Sequence, residues 1–567
     1  MLPFRALATL SALALAAAPL AAQHAPGHVL DHRFIAENLG GFLGPVEDGD
    51  QLGYALCVVG DVDGNGVDDI AAGMPNADEP GQLTSSGRVW ILFMDADGDV
   101  VASQAIDASQ GPLPFTLADG DRFGAALAPA GDLNDDGVPD LWVGAYGDDD
   151  GATPLNYTGP GALYAVMLSP SGKVEDAAKL STSSGLALDL TGGFGSAVAN
   201  IGDLDGNGVP DLVVGAPYTS APTNARGAIW MLLMDPGAKI KSAVMHSALT
   251  VPDLAGLSDD AQFGSSVTGI GDIDHNGRPD FVVGAATDDV LTPTDGSIWF
   301  LRTQGSTSIK NARRFAADSA AFAGDGPETL NYFGRSLALL GDVDQDGTVD
   351  IAVGASNAGD QLEGTVWVLT CRSSQLSPVK SVTRLDGDEG FLPFTVTFFD
   401  GFGFALAPAG DLNGDGTPDL LAGIPGYDGS GTNLGAFAQL ALRGPTVVNL
   451  GGEVGGGAPP SLSVEGTLVG GEDFTVQMKN GPSLGQATAV VGATAIHAPF
   501  KGGVMVPAPD LLLSSFALDG IGYLGITAPW PVGFPLGLEL YLQLWMPDAN
   551  APLGYSGSNA LLLIAGA

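Results

Sequence analysis

Cysteine is almost missing from this chain: Cys57 and Cys371 are the two examples in 567 residues. A disulfide framework is thereby excluded, and the two thiols are expected to be small buried side chains. Basic residues are nearly as scarce, with 21 Lys and Arg against 65 Asp and Glu and a net charge of −44. Nucleic acids and anionic membranes need clustered Lys and Arg, so neither is expected as a partner, whereas cations are favoured. The six histidines form no HExxH motif. Past the N-terminus no run of 18 uninterrupted apolar residues occurs, so no membrane-spanning helix is expected.

What is abundant is glycine (84), proline (38) and apolar side chains (45%). Enough apolar surface exists for a large core, and the Gly and Pro, lacking a three-residue period, suit many short strands joined by tight turns. The opening "MLPFRALATLSALALAAAPLAAQ" has Arg5, then an apolar run, then small residues to Ala22. It reads as a secretory signal peptide over residues 1–22, so the mature protein is expected to be secreted or at the cell surface.

One stretch recurs six times: "GDVDGNGVDDI" (60–70), "GDLNDDGVPDL" (131–141), "GDLDGNGVPDL" (202–212), "GDIDHNGRPDF" (271–281), "GDVDQDGTVDI" (341–351) and "GDLNGDGTPDL" (410–420). The first Asp of each falls at 61, 132, 203, 272, 342 and 411, a period of 69 to 71 residues. An "LG" or "FG" pair lies upstream, its Gly eight residues before that Asp in every copy, and another Gly follows the last Asp by four. Each unit holds four short apolar runs bounded by Gly or Pro, as in "VPDLWVGA" and "GALYAVML". Four strands per 70-residue unit predict one blade of a β-propeller. The sixth unit ends near Arg443 without a fourth strand, and residues 28–39 are expected to supply it. Six blades are favoured, with seven possible if C-terminal residues join the ring.

The loops themselves point to metal. Counting the first Asp as position 1, positions 1, 3, 5 and 9 are Asp61, Asp63, Asn65 and Asp69; Asp132, Asn134, Asp136 and Asp140; Asp203, Asp205, Asn207 and Asp211. The remaining sets are Asp272, Asp274, Asn276 and Asp280; Asp342, Asp344, Asp346 and Asp350; Asp411, Asn413, Asp415 and Asp419. Position 6 is always Gly, which permits a sharp turn, and the backbone carbonyls at position 7 (Val67, Val138, Val209, Arg278, Thr348, Thr417) can then face inward. Hard oxygen donors in a flexible loop suit Ca²⁺, about six per chain; no His or Cys stands at a ligand position, which disfavours zinc and copper. An EF-hand is excluded because position 12 is Ala or Val rather than Glu, and Pro at position 8 in four copies argues for a following strand.

The "FG" pair, the Asp-rich loop and "GAP" (Gly215–Pro217) together resemble the FG-GAP repeats of integrin α-subunit propellers, over roughly residues 28–445. The resemblance implies a calcium-binding β-propeller that works outside the cell in adhesion or ligand binding. The first unit departs with "LG", and "GAP" varies to "GMP", "GAY", "GAA", "GAS" and "GIP". The calcium loops are expected on one rim of the ring. The other rim, with Tyr146, Tyr157, Tyr218 and Tyr427 in its loops, would face a protein or glycan ligand.

Residues 444–460 read as a Gly/Pro-rich linker between the propeller (23–443) and a C-terminal β domain (461–567). In the latter, Leu536, Leu538, Leu540, Leu542, Leu544 and Met546 alternate with Glu539, Tyr541, Gln543 and Trp545, predicting a β-sandwich-like fold with one buried face. "GPSLG" around Ser483 matches a nucleophile elbow, but no helix follows it, and His497 is only fourteen residues on; a turn is the better reading. The whole is read as an all-β, non-enzymatic binding protein. The alternative is an extracellular polysaccharide lyase or hydrolase built on a calcium-bearing propeller.

Overall fold

The computed structural model describes residues 29–78, 84–108, 113–150, 159–220, 225–290, 294–319, 322, 331–344, 347–359, 362–372, 378–386, 395–397, 399–412, 417–429 and 431–442. Beyond these it describes the C-terminal strands named below with a few residues beside them. Chain contacts divide it into two compact units, one of them Gly27–Arg443 and the other containing Gly444–Ala567.

The first unit is a six-bladed β-propeller. Blade 1 is an antiparallel meander of Ala55–Gly60 (inner), Asp69–Met74 (second), Arg88–Met94 (third) and Val100–Ile106 (outer). Blades 2 to 5 repeat it from inner strands Ala126–Gly131, Ala197–Gly202, Phe263–Gly271 and Phe333–Gly341. Blade 6 has Leu406–Gly410, Asp419–Ile424 and Ala436–Leu442, and its outer strand is Val29–Ala36, paired so that Ile35 lies opposite Phe437. The N-terminal strand therefore closes the ring, as the missing fourth strand of the last repeat required, and the seventh blade is not formed. No α-helix occurs among the described residues.

Burial explains the sequence pattern. The second and third strands of every blade are buried along their length, apart from Asp235 at the end of one third strand, because each sheet lies between two neighbours and has no wet face. Outer strands, as in Lys239–His246, are largely half-exposed. Apolar clusters lie between adjacent blades rather than within one. Cys57, Val89, Leu141 and Tyr164 join blades 1 and 2, while Leu421 and Phe437 meet Leu56 and Trp90 across the closure between blades 6 and 1. Cys57 and Cys371 are both buried, and no disulfide joins them.

The repeated glycines seat the blades against each other. A Cβ at Gly73 would stand 2.0 Å from the carbonyl oxygen of Gly124 in the next blade, and the same clash joins Gly215 to Gly264 at 2.0 Å. The last of the series, Gly423 against Gly53 at 2.1 Å, spans the closure. Backbone of one blade thus touches backbone of the next where no side chain fits.

In the C-terminal unit one sheet runs in the order Val447–Gly451, Ala560–Ile564, Glu539–Pro547, Gln486–Gly492, Leu511–Ala517, with Tyr555–Gly557 also on Glu539–Pro547. Ser461–Gly466, Asp473–Lys479 and Leu524–Pro529 form a second sheet, and Ala495–Phe500 pairs with Gly503–Pro507. The expected one-sided burial fails in Glu539–Pro547: Gln543 and Trp545 are buried along with Leu542, Leu544 and Met546. Gln543 Nε2 donates to Ser558 O at 3.0 Å, which lets an amide occupy the interior. Leu536, Leu538 and Ser483 lie outside the described residues, and His497 falls in the strand Ala495–Phe500.

The blade contacts yield a paired test. Gly215→Ala should lower stability by about 1–3 kcal/mol, since backbone on both sides must move, whereas Gly256→Ala, with nothing within 4 Å of its added Cβ, should leave the melting temperature unchanged. Equal melting temperatures for the two variants would contradict the seating role.

Candidate metal centres

Each loop joins the inner strand of a blade to its second strand. Position 6 takes the left-handed conformation in all five described copies, with φ of +88° at Gly66, +87° at Gly137, +86° at Gly208, +83° at Gly277 and +87° at Gly347. The turn so made brings backbone N–H groups onto the first aspartate. Asp61 accepts from Asn65 N at 2.9 Å and Gly66 N at 2.8 Å; Asp272 accepts from Asn276 N at 2.9 Å and Gly277 N at 2.7 Å. Position 5 ties the loop outward: the side-chain amides of Asn65, Asn207 and Asn276 donate to Met94 O, Met234 O and Thr303 O at the ends of third strands.

Position 9 is the deepest. Asp69 begins the second strand, fully buried, and one carboxylate oxygen accepts from Val62 N at 2.9 Å while the other accepts from Met94 N at 2.9 Å. The same two-oxygen bridge recurs at Asp140 (Leu133, Leu168), Asp211 (Leu204, Met234), Asp280 (Ile273, Thr303), Asp350 (Val343, Cys371) and Asp419 (Leu412, Leu442).

In four loops the carboxylates of positions 1, 3 and 9 offer oxygens within 4.8 Å of one another: Asp61, Asp63 and Asp69; Asp203, Asp205 and Asp211; Asp272, Asp274 and Asp280; Asp342, Asp344 and Asp350. In the second loop Asn134 replaces the acid at position 3 and donates to Asp136 at 2.8 Å. Asp346, Asn413 and Asp415 lie outside the described residues, as does Tyr157. At position 7, Val67, Val138 and Val209 each donate their N–H to the position 5 side chain. Arg278 instead reaches Leu204 O in the loop of the preceding blade, and Thr348 and Thr417 complete the set.

Three lysines enter these sites unannounced by the motif. Lys241, Lys310 and Lys380, on outer strands, place Nζ 2.7 Å from Oδ2 of Asp205, Asp274 and Asp344. The other oxygens of Asp274 and Asp344 are buried and accept from no donor among the described residues. A buried carboxylate oxygen without a donor is costly, and a hard cation between it and its two neighbours would satisfy it. The donors here are all oxygen, so the residues fit such an ion.

The FG-GAP repeat family matches residues 52–92, 194–232, 333–369 and 402–438, which fall on blades 1, 3, 5 and 6. Integrin alpha pat-2 of Caenorhabditis elegans is 32% identical over 254 residues (42% of this chain, 18% of that protein), and integrin alpha-V of Gallus gallus 31% over 228 (40% and 20%). This is an integrin-α-like FG-GAP propeller. The phosphatidylinositol-glycan-specific phospholipase D of Homo sapiens is also similar, 28% identical over 220 residues (39% of this chain, 25% of that protein). The chain thus spans about a fifth of the length of the integrins it matches.

In the FG-GAP propeller the position 9 carboxyls of blades 1 to 5 are shifted upward, mainly because burial disfavours their charge and secondarily because neighbouring loop aspartates repel it, against the pull of their backbone donors. Asp69, Asp140 and Asp280 are raised to about 6 and Asp350 to about 7. A carboxyl whose folded value exceeds its unfolded one stabilises the fold when protonated, and that contribution fades as pH rises through the folded value. The metal-free propeller should therefore melt at a higher temperature near pH 5 than near pH 7.5, measured in chelator. A melting temperature that rises over that interval would contradict the burial argument. Asp280→Ala should lower stability at either pH, because two buried N–H groups lose their acceptor at about 1–3 kcal/mol each.

Proposed function

We propose that the chain is an exported, non-enzymatic binding protein whose propeller is pinned by calcium and recognises an extracellular protein or glycan in an adhesion-type role. The observation that carries this reading is the recurrence of three converging aspartates at the same corner of blades 1, 3, 4 and 5. Likeness to integrin α subunits supports the binding role. Residues 1–22 act as signal peptide, 23–443 as propeller, 444–460 as linker and 461–567 as the second domain in this reading.

At each of the six loops the cation would be held by the side chains at positions 1, 3, 5 and 9 and the position 7 carbonyl. The ion neutralises carboxylates that repel one another in a chain of net charge −44, and ties the turn to the second strand. Its role is structural, and ligand contact falls to the opposite rim. A metal bound only by the folded form stabilises it by about 2.7 kcal/mol per site at a hundredfold excess over Kd.

The matching phospholipase D keeps an enzymatic reading in view. Release of product from acidic polysaccharides or glycosyl-phosphatidylinositol substrates, abolished by chelation, would favour it over the binding role.

Metal analysis of purified protein should return about six calcium ions per chain, and chelation should lower the melting temperature strongly; unchanged melting with no bound calcium would end the proposal. Lys310→Met should raise calcium affinity in blade 4 by removing a competing cation from Asp274, read by calorimetric titration as a tighter class of site. Unaltered titration would show that the ammonium and the metal do not compete.

A further inference from the structure

Almost every basic side chain in so acidic a protein should find a carboxylate, and most described ones do, among them Arg88 with Asp107 and Arg226 with Asp259. Arg122 and Arg335 are among those that do not. Both sit at the "FG" corners, Arg122 just before Phe123 and Arg335 just after Gly334. Arg335 lies 4.1 Å over the ring of Phe404 and 5.8 Å over that of Tyr54, and donates to the Tyr54 hydroxyl at 3.2 Å. Arg122 lies 5.7 Å over Tyr146 and donates through Nη1 to Asn76; its Nε is buried without an acceptor among the described residues. Tyr146 and Tyr218 pack 6.2 Å apart, and the charges of both arginines reach Tyr218.

Of these residues Tyr54, Arg335 and Phe404 sit at corners that face the axis of the ring. The central channel there has a volume of about 100 Å³ and is walled by inner strands of all six blades. Its mouth is lopsided. Blades 5, 6 and 1 contribute the large Arg335, Phe404 and Tyr54, whereas blades 2, 3 and 4 contribute Ala125, Ser196 and Ser265 at the equivalent place. Arg335 and Tyr54 line the channel itself, and Arg122, Tyr146 and Tyr218 lie beside them, with Tyr54 close to Tyr146 and the charge of Arg335 reaching Tyr218. Burial raises the ionisation of Tyr146 well above the ordinary range and shifts that of Tyr218 upward too, so their hydroxyls remain donors at neutral pH.

We propose that this mouth is a carboxylate-binding site that takes a single Asp or Glu side chain from a protein partner, held by Arg335 and Arg122 with the hydroxyls of Tyr54, Tyr146 and Tyr218 around it. The inference rests on reading the propeller as a protein-binding module and names the chemistry of one contact. A guanidinium matches a carboxylate in shape and charge, and aromatic faces behind it keep it fixed and partly dehydrated. The channel is small, about 100 Å³, so the ligand is taken as one side chain reaching in from a partner rather than as a whole segment of chain. Net charge narrows it further. A chain at −44 repels an acidic tract at long range, so the inserted acid belongs to a neutral or basic segment.

The test uses the calcium-loaded full chain and three probes in calorimetric titration: the capped peptides Gly-Lys-Glu-Lys-Gly and Gly-Lys-Gln-Lys-Gly, and glucuronate. The Glu peptide should bind at least tenfold more tightly than the other two. Arg335→Gln and Arg122→Gln should each weaken it at least tenfold, while Arg226→Gln should not, with melting curves confirming that the variants are folded. Equal binding of the Glu and Gln peptides, preference for glucuronate, or wild-type affinity in both mouth variants would overturn the proposal. Calcium-dependent capture of a matrix protein that is indifferent to both arginine changes would overturn this site and leave the adhesion reading standing. Peptide binding that needs both arginines, with no protein captured, would support the site while counting against adhesion.

Discussion

A carboxylate buried at the start of the second strand organises every blade. In Asp69 and its five counterparts one oxygen holds the turn from the inner strand and the other holds the end of the third strand, so three strands meet on one side chain. No neutral residue of that length presents two acceptors in those directions. The cost is a buried charge beside other acids, and the loop geometry follows from meeting that cost: a left-handed glycine, converging aspartates, and a lysine in three blades. The dense acidity of the sequence is therefore concentrated where the architecture requires it.

The ring was legible in the sequence because its repeats keep their spacing to within two residues over some 350 positions, and because strands buried on both faces read as uninterrupted apolar runs. Closure was legible from a deficit, a last repeat one strand short and an unassigned segment at 28–39. The glycine seats were visible as conserved punctuation within the chain but not as contacts, since Gly73 and Gly124 meet only once the blades stand side by side. In the C-terminal unit the alternation of Glu539–Pro547 misled: a strand paired on both sides can bury both faces when its polar residue finds a partner, as Gln543 finds Ser558.

The candidate sites divide in the same way. Ligands in the loops are local in sequence and were named by spacing alone. Lys241, Lys310 and Lys380 arrive from outer strands about 36 residues away, and no motif announces them. Their regular recurrence relative to the repeat was the one signal available. Of the tyrosines in the upper loops, Tyr146 and Tyr218 come together while Tyr427 packs against Phe34 at the edge of blade 6. Arg122 and Arg335 stood unremarked because a residue's approach to the axis depends on its blade phase, which a linear reading does not display.

The pairing of Val29–Ala36 with Ala436–Leu442 has a consequence for biogenesis. Within the propeller, Val29–Ala36 is the first described strand to be synthesised and its partner the last, about four hundred residues later, so until then it has an unpaired edge. Circular closure then arrives in one step, and the blade it completes is the one both a late start and an early stop of translation would leave open.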